Sequence, residues 1–129
     1  MNDTASKRLV DNDGFAAYTG IELVKAAPGY ALVRLEIKEK HLNGASFVHG
    51  GVIFTLADFA FAAASNEAGS PTLGINATIA YIRVPRGKVI TAEAKEVSAT
   101  NRLCTYEVFV YDEDGQTAAK MMATGYIKK

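Results

Sequence analysis

The apolar segment at residues 50–66 contains one charged side chain, Asp58, and this carboxylate is the first candidate for chemistry. An ionised carboxylate inside an apolar helix is costly unless it is paired or serves a site. Burial would raise its pKa, and a raised pKa suits a general acid or base near neutral pH. In the competing structural interpretation, Asp58 caps a nearby loop or pairs with a buried arginine.

His49, Gly50 and Gly51 stand where this helix is predicted to begin. The first turn of a helix carries N–H groups without intrahelical partners and the positive end of the helix dipole. Glycines let a substrate approach that backbone closely, so an oxygen that becomes negative in a transition state could be held there. The two glycines could equally serve tight packing, and their presence alone leaves both interpretations open.

The separation of Gly50 and Asp58 indicates how such a site would be assembled. Eight residues of helix span about 12 Å, so the two residues of one helix cannot easily touch one reacting carbon. The helix is apolar on all sides, and a single sheet would cover only one of them. We therefore expect a homodimer or larger assembly, with Asp58 of one subunit near Gly50 of the other.

The other reactive residue types give weaker signals. The spacing of His41, His49 and Asp58 fits no standard ligand pattern, which predicts that there is no metal site. His41 is interpreted as a solvated loop residue and Asn43 as a turn former. The single cysteine, Cys104, lies in an alternating segment and is predicted to be a small buried hydrophobe. The absence of a G-x-S-x-G elbow argues against a serine hydrolase.

The composition limits the possible partners. The 129 residues suit one domain, and 14 basic residues balance 14 acidic ones. This balance gives no electrostatic reason to expect nucleic acid or a membrane surface. No signal peptide is visible, and the longest apolar run is too short to span a bilayer, so we expect a cytoplasmic protein. Four basic residues at predicted strand ends could still hold phosphates, namely Arg83, Arg86, Lys88 and Arg102.

The elements that must position these residues follow from periodicity and turn signals. Residues 4–18 predict a short amphipathic helix, and residues 1–18 form an N-terminal helical segment of a single domain spanning 1–129. The long helix lies between two predicted strands before it, 21–27 and 30–37, and four after it, 72–84, 88–98, 102–111 and 117–127. Turn signals at Pro28-Gly29, Pro85-Arg86-Gly87 and Asp112-Glu113-Asp114-Gly115 predict hairpins. The consecutive hairpins after the helix imply an antiparallel sheet in an α+β fold.

The motif residues resemble a known family. The pattern Asn-x5-His-Gly-Gly-x6-Asp, formed by Asn43, His49, Gly50, Gly51 and Asp58, resembles the hotdog thioesterases of the phenylacetic-acid-degradation (PaaI) type. The likeness extends over most of the chain. It implies a hotdog fold, in which a long central helix is wrapped by an antiparallel sheet of about six strands, paired into homodimers and commonly homotetramers.

The resemblance also implies a function, namely hydrolysis of aryl-acyl or short- to medium-chain acyl-CoA without a metal or a separate cofactor. Asp58 would be the general base or nucleophile, supplied by the opposite subunit. The Gly50 N–H would polarise the thioester carbonyl, and Asn43 and His49 would position substrate or water. Substrate binding is assigned to four further residues, Gly51, Phe47, Arg83 and Arg102.

Two other functions remain open from the sequence. A hotdog dehydratase or hydratase could recruit His49 and Asp58 to act on the β-carbon of an acyl-CoA. A non-catalytic acyl-CoA-binding module is the other alternative, although the retention of Asp58 in an apolar helix argues against it.

Overall fold

A computed structural model describes residues 5–129 of the chain, with side chains from Lys7 onward. Two short helices and two strands precede a long helix, and four strands follow it. The helices are α1 (Ala5–Asn12), α2 (Gly14–Thr19) and α3 (Gly50–Glu67), with a 3-10 turn at Glu39–His41. The strands are β1 (Glu22–Ala27), β2 (Tyr30–Glu36), β3 (Thr72–Tyr81), β4 (Val89–Ala99), β5 (Leu103–Tyr111) and β6 (Thr117–Ile127).

The six strands form one antiparallel sheet in the order β1-β2-β4-β5-β6-β3, with α3 packed on one of its faces. The predicted long helix wrapped by an antiparallel sheet of six strands is therefore confirmed. Alternation explains the packing: the inward residues of β2, Ala31, Val33 and Leu35, are fully buried, whereas their neighbours along the strand face outward.

The prediction of consecutive hairpins was wrong at one place. β3 pairs with β6 at the edge of the sheet, and β4 lies between β2 and β5, so the link from β3 to β4 is a crossover. The Asp112 carboxylate holds this link by accepting the Arg86 N–H at 3.0 Å, besides the N–H groups of Asp114 and Gln116. Burial opposes ionisation, but these N–H donors lower the pKa of Asp112 below its usual value.

The prediction of one N-terminal helix was also wrong over the described residues, and Thr4, its first predicted residue, lies outside them. The segment forms two helices because Asp13 adopts an extended conformation and its carboxylate accepts the Ala16 N–H at 2.9 Å. This arrangement is an N-cap, which starts α2 as a separate helix. Gly20 then ends α2 in the left-handed conformation, with φ 97°.

The two faces of α3 have different surroundings. Its sheet-facing residues Leu56, Ala57, Ala60 and Ala64 are fully buried. Because most of these side chains are small, the helix backbone approaches the sheet closely. The core also holds an edge-to-face pair, in which the rings of Phe61 and Tyr106 lie 5.4 Å apart. The opposite face of α3 carries Gly51, Thr55, Asp58 and Ala62, all at least partly open.

β3 forms an unprotected edge of the sheet. It pairs with β6 on one side only, and most of its residues are exposed. Leu73, Ile75 and Tyr81 are 58%, 59% and 53% exposed respectively. A long strand edge with exposed apolar side chains is a surface that favours pairing with another chain. Within residues 5–129, no helix is long and apolar enough to cross a membrane.

Candidate active site

Asp58 lies on the open face of α3 and remains exposed to solvent in the single chain. The sheet covers only the opposite side of the helix, in keeping with the prediction that a single sheet covers one side of α3. Its side chain borders a cleft of about 330 Å³, which we call the acid cleft, formed with Phe54, Phe61 and residues 74–77 of β3. Among residues 5–129, its carboxylate has no hydrogen-bond or ion-pair partner.

The electrostatic environment favours the protonated form of this carboxyl. Partial burial among apolar side chains raises the pKa of Asp58 above its usual value, and the negative charge of Asp13 adds to the effect. A carboxylate without a partner, in a partly apolar cleft, is a stronger base than one in water. Asp58 is thus free to accept a proton or to attack a substrate.

The first turn of α3 leaves one N–H group without a partner. His49 is the N-cap, and its Nδ1 accepts the Gly51 N–H at 2.9 Å. The His49 carbonyl accepts the next two N–H groups, from Val52 at 2.9 Å and Ile53 at 3.2 Å. The Gly50 N–H has no acceptor in the described part of the chain. This N–H is therefore available to an oxygen of a ligand.

Gly50 opens onto a second cleft, about 260 Å³ in volume, which we call the glycine cleft. Tyr81, Arg83 and Pro85 line it from the end of β3 and the crossover that follows. A Cβ placed on Gly50 would lie 3.5 Å from Tyr81, an ordinary contact, whereas one on Gly51 would lie 3.0 Å from the His49 ring. A side chain at position 51 would thus crowd the His49 ring that caps the helix, whereas a methyl group at position 50 would fit beside Tyr81.

The loop before α3 is shaped by Asn43. Its Oδ1 accepts the N–H groups of Ala45 at 2.9 Å and Phe47 at 3.1 Å, and its own N–H donates to the Phe47 carbonyl at 2.7 Å. The turn former predicted at Asn43 is therefore present. Its Nδ2 has no acceptor among residues 5–129, and Phe47 is 51% exposed beside it.

His41 is buried, so its interpretation as a solvated loop residue was wrong. Its Nδ1 accepts the Lys38 N–H at 2.8 Å, and its Nε2 lies 2.7 Å from the Thr19 carbonyl, to which it donates. This pair of bonds defines a neutral ring protonated at Nε2. The His41 carbonyl also accepts the His49 N–H at 2.8 Å. His41 therefore fastens the loop to the end of α2.

The remaining candidates lie apart from these clefts. Arg102 donates from Nη1 to the Tyr126 hydroxyl at 2.8 Å, where β5 begins and β6 ends, away from the glycine cleft. Cys104 is buried as predicted, and burial raises the pKa of its thiol. No three His, Cys, Asp or Glu side chains of the described residues gather into a possible metal site, so the lack of a metal stays a prediction.

The structure thus brings Gly50, Gly51, His49 and Arg83 to one end of α3 and leaves Asp58 two turns away in a different cleft. Sequence reasoning missed Tyr81 as a lining residue, although its position two residues before Arg83 on a strand was a usable signal. It also missed Asp13, whose location beside Asp58 depends on how α2 folds back onto α3.

Comparison with known proteins gives a consistent result. The family model described as "Thioesterase superfamily" matches residues 45–119. A protein of Archaeoglobus fulgidus is 38% identical over 127 residues, which are 98% of this chain and 82% of that protein. The acyl-coenzyme A thioesterase PaaI of Escherichia coli is 30% identical over 112 residues, 86% of this chain and 80% of its own length.

A solved structure agrees with these sequence matches. The structure of the E. coli PaaI protein from the phenylacetic acid degradation operon superposes with a TM-score of 0.92. The match covers 97% of this chain and 91% of that one, at 26% identity.

Proposed function

The chain belongs to the thioesterase superfamily and is a thioester hydrolase, and we propose that it cleaves acyl-CoA at active sites shared between two subunits. The acyl-CoA specificity is supported by the E. coli relative, which is an acyl-coenzyme A thioesterase. Within that class, we propose aryl-acyl or short- to medium-chain substrates.

The observation that carries this proposal is that α3 holds two complementary groups, each without a partner. Among residues 5–129, the Gly50 N–H has no acceptor and the Asp58 carboxylate has no donor. Thioester hydrolysis needs a donor at the carbonyl oxygen and a base or nucleophile at the carbonyl carbon. The two groups are about 12 Å apart along one helix, so one protomer cannot place both on one carbonyl.

A two-fold pairing along the exposed edge of β3 would solve this problem. Residues 74–77 of β3 form one wall of the acid cleft, and β3 ends at Tyr81 beside Gly50. An antiparallel copy of β3 would satisfy the unpaired strand edge and reverse the direction of the second α3. The acid cleft of one subunit would then meet the glycine cleft of the other. We propose this homodimer as the catalytic unit, and a homotetramer as a pair of such dimers.

The proposed chemistry starts from ionised Asp58. In the base route, it takes a proton from water while the water oxygen bonds to the thioester carbon and the carbonyl electron pair moves onto oxygen. The Gly50 N–H stabilises this oxyanion, and its collapse expels the CoA sulfur, which receives the proton held by Asp58. In the nucleophilic route, the carboxylate attacks the carbon and expels the CoA sulfur, and water hydrolyses the resulting anhydride.

Other residues around the two clefts would orient the substrate. The His49 ring caps the start of α3, and Asn43 shapes the loop that leads into the helix. Both side chains would orient the thioester or a water molecule. Arg83 lines the glycine cleft and would pair with a CoA phosphate there. A similar role for Arg102 stays a prediction.

Thiol release from a panel of acyl-CoAs tests the activity. Purified protein is expected to release free CoA from at least one aryl, short-chain or medium-chain substrate, measured with a thiol reagent. Asp58→Asn should abolish most of that release while the protein stays folded. If no acyl-CoA of the panel is turned over, the proposed specificity is contradicted.

Subunit complementation tests the shared site. Asp58→Asn and Gly50→Pro should each be almost inactive alone, because every site lacks one essential group. Mixed dimers contain one intact site of two, so an equal mixture should recover about a quarter of the wild-type activity. If each site lay within one subunit, no mixed dimer would contain an intact site, and the mixture would stay inactive.

A further inference from the structure

A second carboxylate, Asp13, lies beside Asp58. The two acids line a common cavity of about 80 Å³ between the N-terminal segment and the open face of α3, which we call the two-acid cavity. Its other lining residues are apolar except Thr55, whose hydroxyl already donates to the Gly51 carbonyl at 2.7 Å. Two like charges in a small, largely apolar cavity interact more strongly than they would in water.

Asp13 is fixed in this position by both ends of α2. Its Oδ1 accepts the Ala16 N–H at 2.9 Å, and the Gly20 N–H donates to the Ala16 carbonyl at 2.9 Å. The Thr19 carbonyl accepts from Nε2 of buried His41 at 2.7 Å. The Asp13 carboxylate therefore belongs to a short helix anchored to the loop that leads into α3.

No cation of the described residues neutralises the two acids. Neither Asp13 nor Asp58 has an ion pair within residues 5–129. The charged side chains of α1, Lys7, Arg8 and Asp11, are exposed, and Lys7 pairs with Asp11 at 2.8 Å.

The other elements around Asp58 add no charge. Residues 74–77 of β3 are uncharged, and residues 50–66 of α3 contain no second ionisable group. In the proposed dimer, the glycine cleft of the partner subunit would bring three further titratable groups near Asp58, namely the partner's His49, the partner's Tyr81 and the partner's Arg83.

We propose that Asp13 is a positioning residue of the active site, whose carboxylate, in the cavity it shares with Asp58, contributes to the acid–base behaviour of Asp58. This inference rests on the proposed function, in which Asp58 is the base or nucleophile. Both partial burial and the charge of Asp13 raise the pKa of Asp58. A higher pKa makes the ionised carboxylate a stronger base and moves the acid limb of the activity profile to higher pH.

Asp13→Asn removes the negative charge of residue 13 and should leave the fold of α2 unchanged. Asparagine caps a helix about as well as aspartate, so α2 should keep its start and its anchor to His41. Asp11→Asn is the matched control, because it removes one negative charge from the same segment at an exposed position. Equal thermal stability of both variants and the wild type would verify that only charge has changed.

Two measurements then report on Asp58. The first is an NMR titration of the ¹³C-labelled Asp58 carboxyl, assigned by its loss in Asp58→Asn. The second is the pH profile of kcat/KM on an acyl-CoA that the wild type hydrolyses. The NMR titration needs no turnover, so a wild type without acyl-CoA activity would defeat the proposed function while the coupling of the two acids is still measured.

In Asp13→Asn, the Asp58 titration and the acid limb of kcat/KM should both move to lower pH. The activity at the plateau should fall by much less than the loss of about 100-fold or more expected when Asp58 itself is removed. An unchanged Asp58 titration overturns the proposal, as does an equal shift in Asp11→Asn, which would indicate a general charge effect. A shifted titration with an unmoved acid limb also overturns it.

Discussion

The two faces of α3 differ in what they contribute, although similar small and apolar residues build both. The sheet-facing side is sealed: Leu56, Ala57 and Ala60 are fully buried. The open side carries Asp58, which is exposed and borders the acid cleft with residues 74–77 of β3. The difference teaches that the sealed side of α3 can stabilise the fold while the open side stays available for the chemistry proposed for Asp58.

Replacing the acid of the open face should have the largest effect. In Asp58→Asn, kcat should fall by about 10²–10⁴-fold. The asparagine amide can neither accept a proton near neutral pH nor attack the thioester. The melting temperature should not fall, since the carboxylate has no partner within the described chain. Steady-state kinetics and thermal unfolding measure the two quantities. A large loss of stability would show that the open face also holds the fold together.

Cutting a side chain from the sealed face should have the reverse effect. Leu56→Ala removes a fully buried side chain between α3 and the sheet, and the free energy of unfolding should fall by about 2–5 kcal/mol. The kcat/KM of the fraction that remains folded should change little, because Leu56 touches neither cleft. Denaturant unfolding and active-site-normalised kinetics test this separation. A selective loss of kcat in folded protein would contradict it.

At the start of α3, the Gly50 N–H can be removed by a single substitution, Gly50→Pro. Proline suits the first position of a helix, and His49, with φ −64° and ψ 134°, has the extended conformation that proline requires before it. Gly50→Pro deletes the unpaired N–H, and kcat should fall by about 10²–10³-fold.

Gly50→Ala is the matched control, since it keeps the N–H and places a methyl group in ordinary contact with Tyr81. It should retain most of the wild-type kcat. Equal losses in both variants would assign the effect to bulk rather than to the hydrogen bond.

The sequence was most informative where a local signal decides the structure. Alternation predicted the six strands, and the pairs Pro28-Gly29 and Asp114-Gly115 predicted hairpin turns in which Gly29 and Gly115 adopt φ 78° and 83°. The start of α3 was also predicted correctly, because His49, Gly50 and Gly51 mark it locally. Short-range rules of this kind depend only on neighbours in the chain.

The failures share a dependence on contacts that are distant in sequence. The pairing of β3 with β6 is set by the whole sheet, so the turn signal at residues 85–87 suggested a hairpin with β4 that does not form. His41 is buried because the carbonyl of Thr19, 22 residues earlier, accepts its Nε2–H. The sequence predicted that the sheet covers one side of α3, but an all-round apolar pattern cannot specify which side that is.

His49 is the N-cap of α3, and its substitution tests whether capping and catalysis can be separated. His49→Ala removes the acceptor of the Gly51 N–H, and the free energy of unfolding should fall by about 1 kcal/mol. His49→Asn should restore the cap, because its side-chain oxygen can accept the same N–H. If the asparagine variant recovers stability and full kcat/KM, the imidazole acts only as a cap; we expect it to recover stability alone.

The smallest expected effect is the loss of folding stability caused by ionised Asp58 on the open face of α3. An acid whose pKa is higher in the folded state binds more protons there, so stability falls as the pH rises from the unfolded pKa through the folded one. Burial and the charge of Asp13 both raise the pKa of Asp58, and Asp58→Asn removes this penalty. The variant and the wild type should melt together below about pH 3.9, the unfolded value for aspartate.

Above that pH, the variant should gain a small advantage that is complete once the folded carboxyl has ionised. A series of melting curves from acid to neutral pH measures this divergence. The opposite sign, with the variant less stable at neutral pH, would mean that a group of the second subunit compensates the charge. In that case, the face of α3 left open in the single chain would be closed, and stabilised, in the dimer.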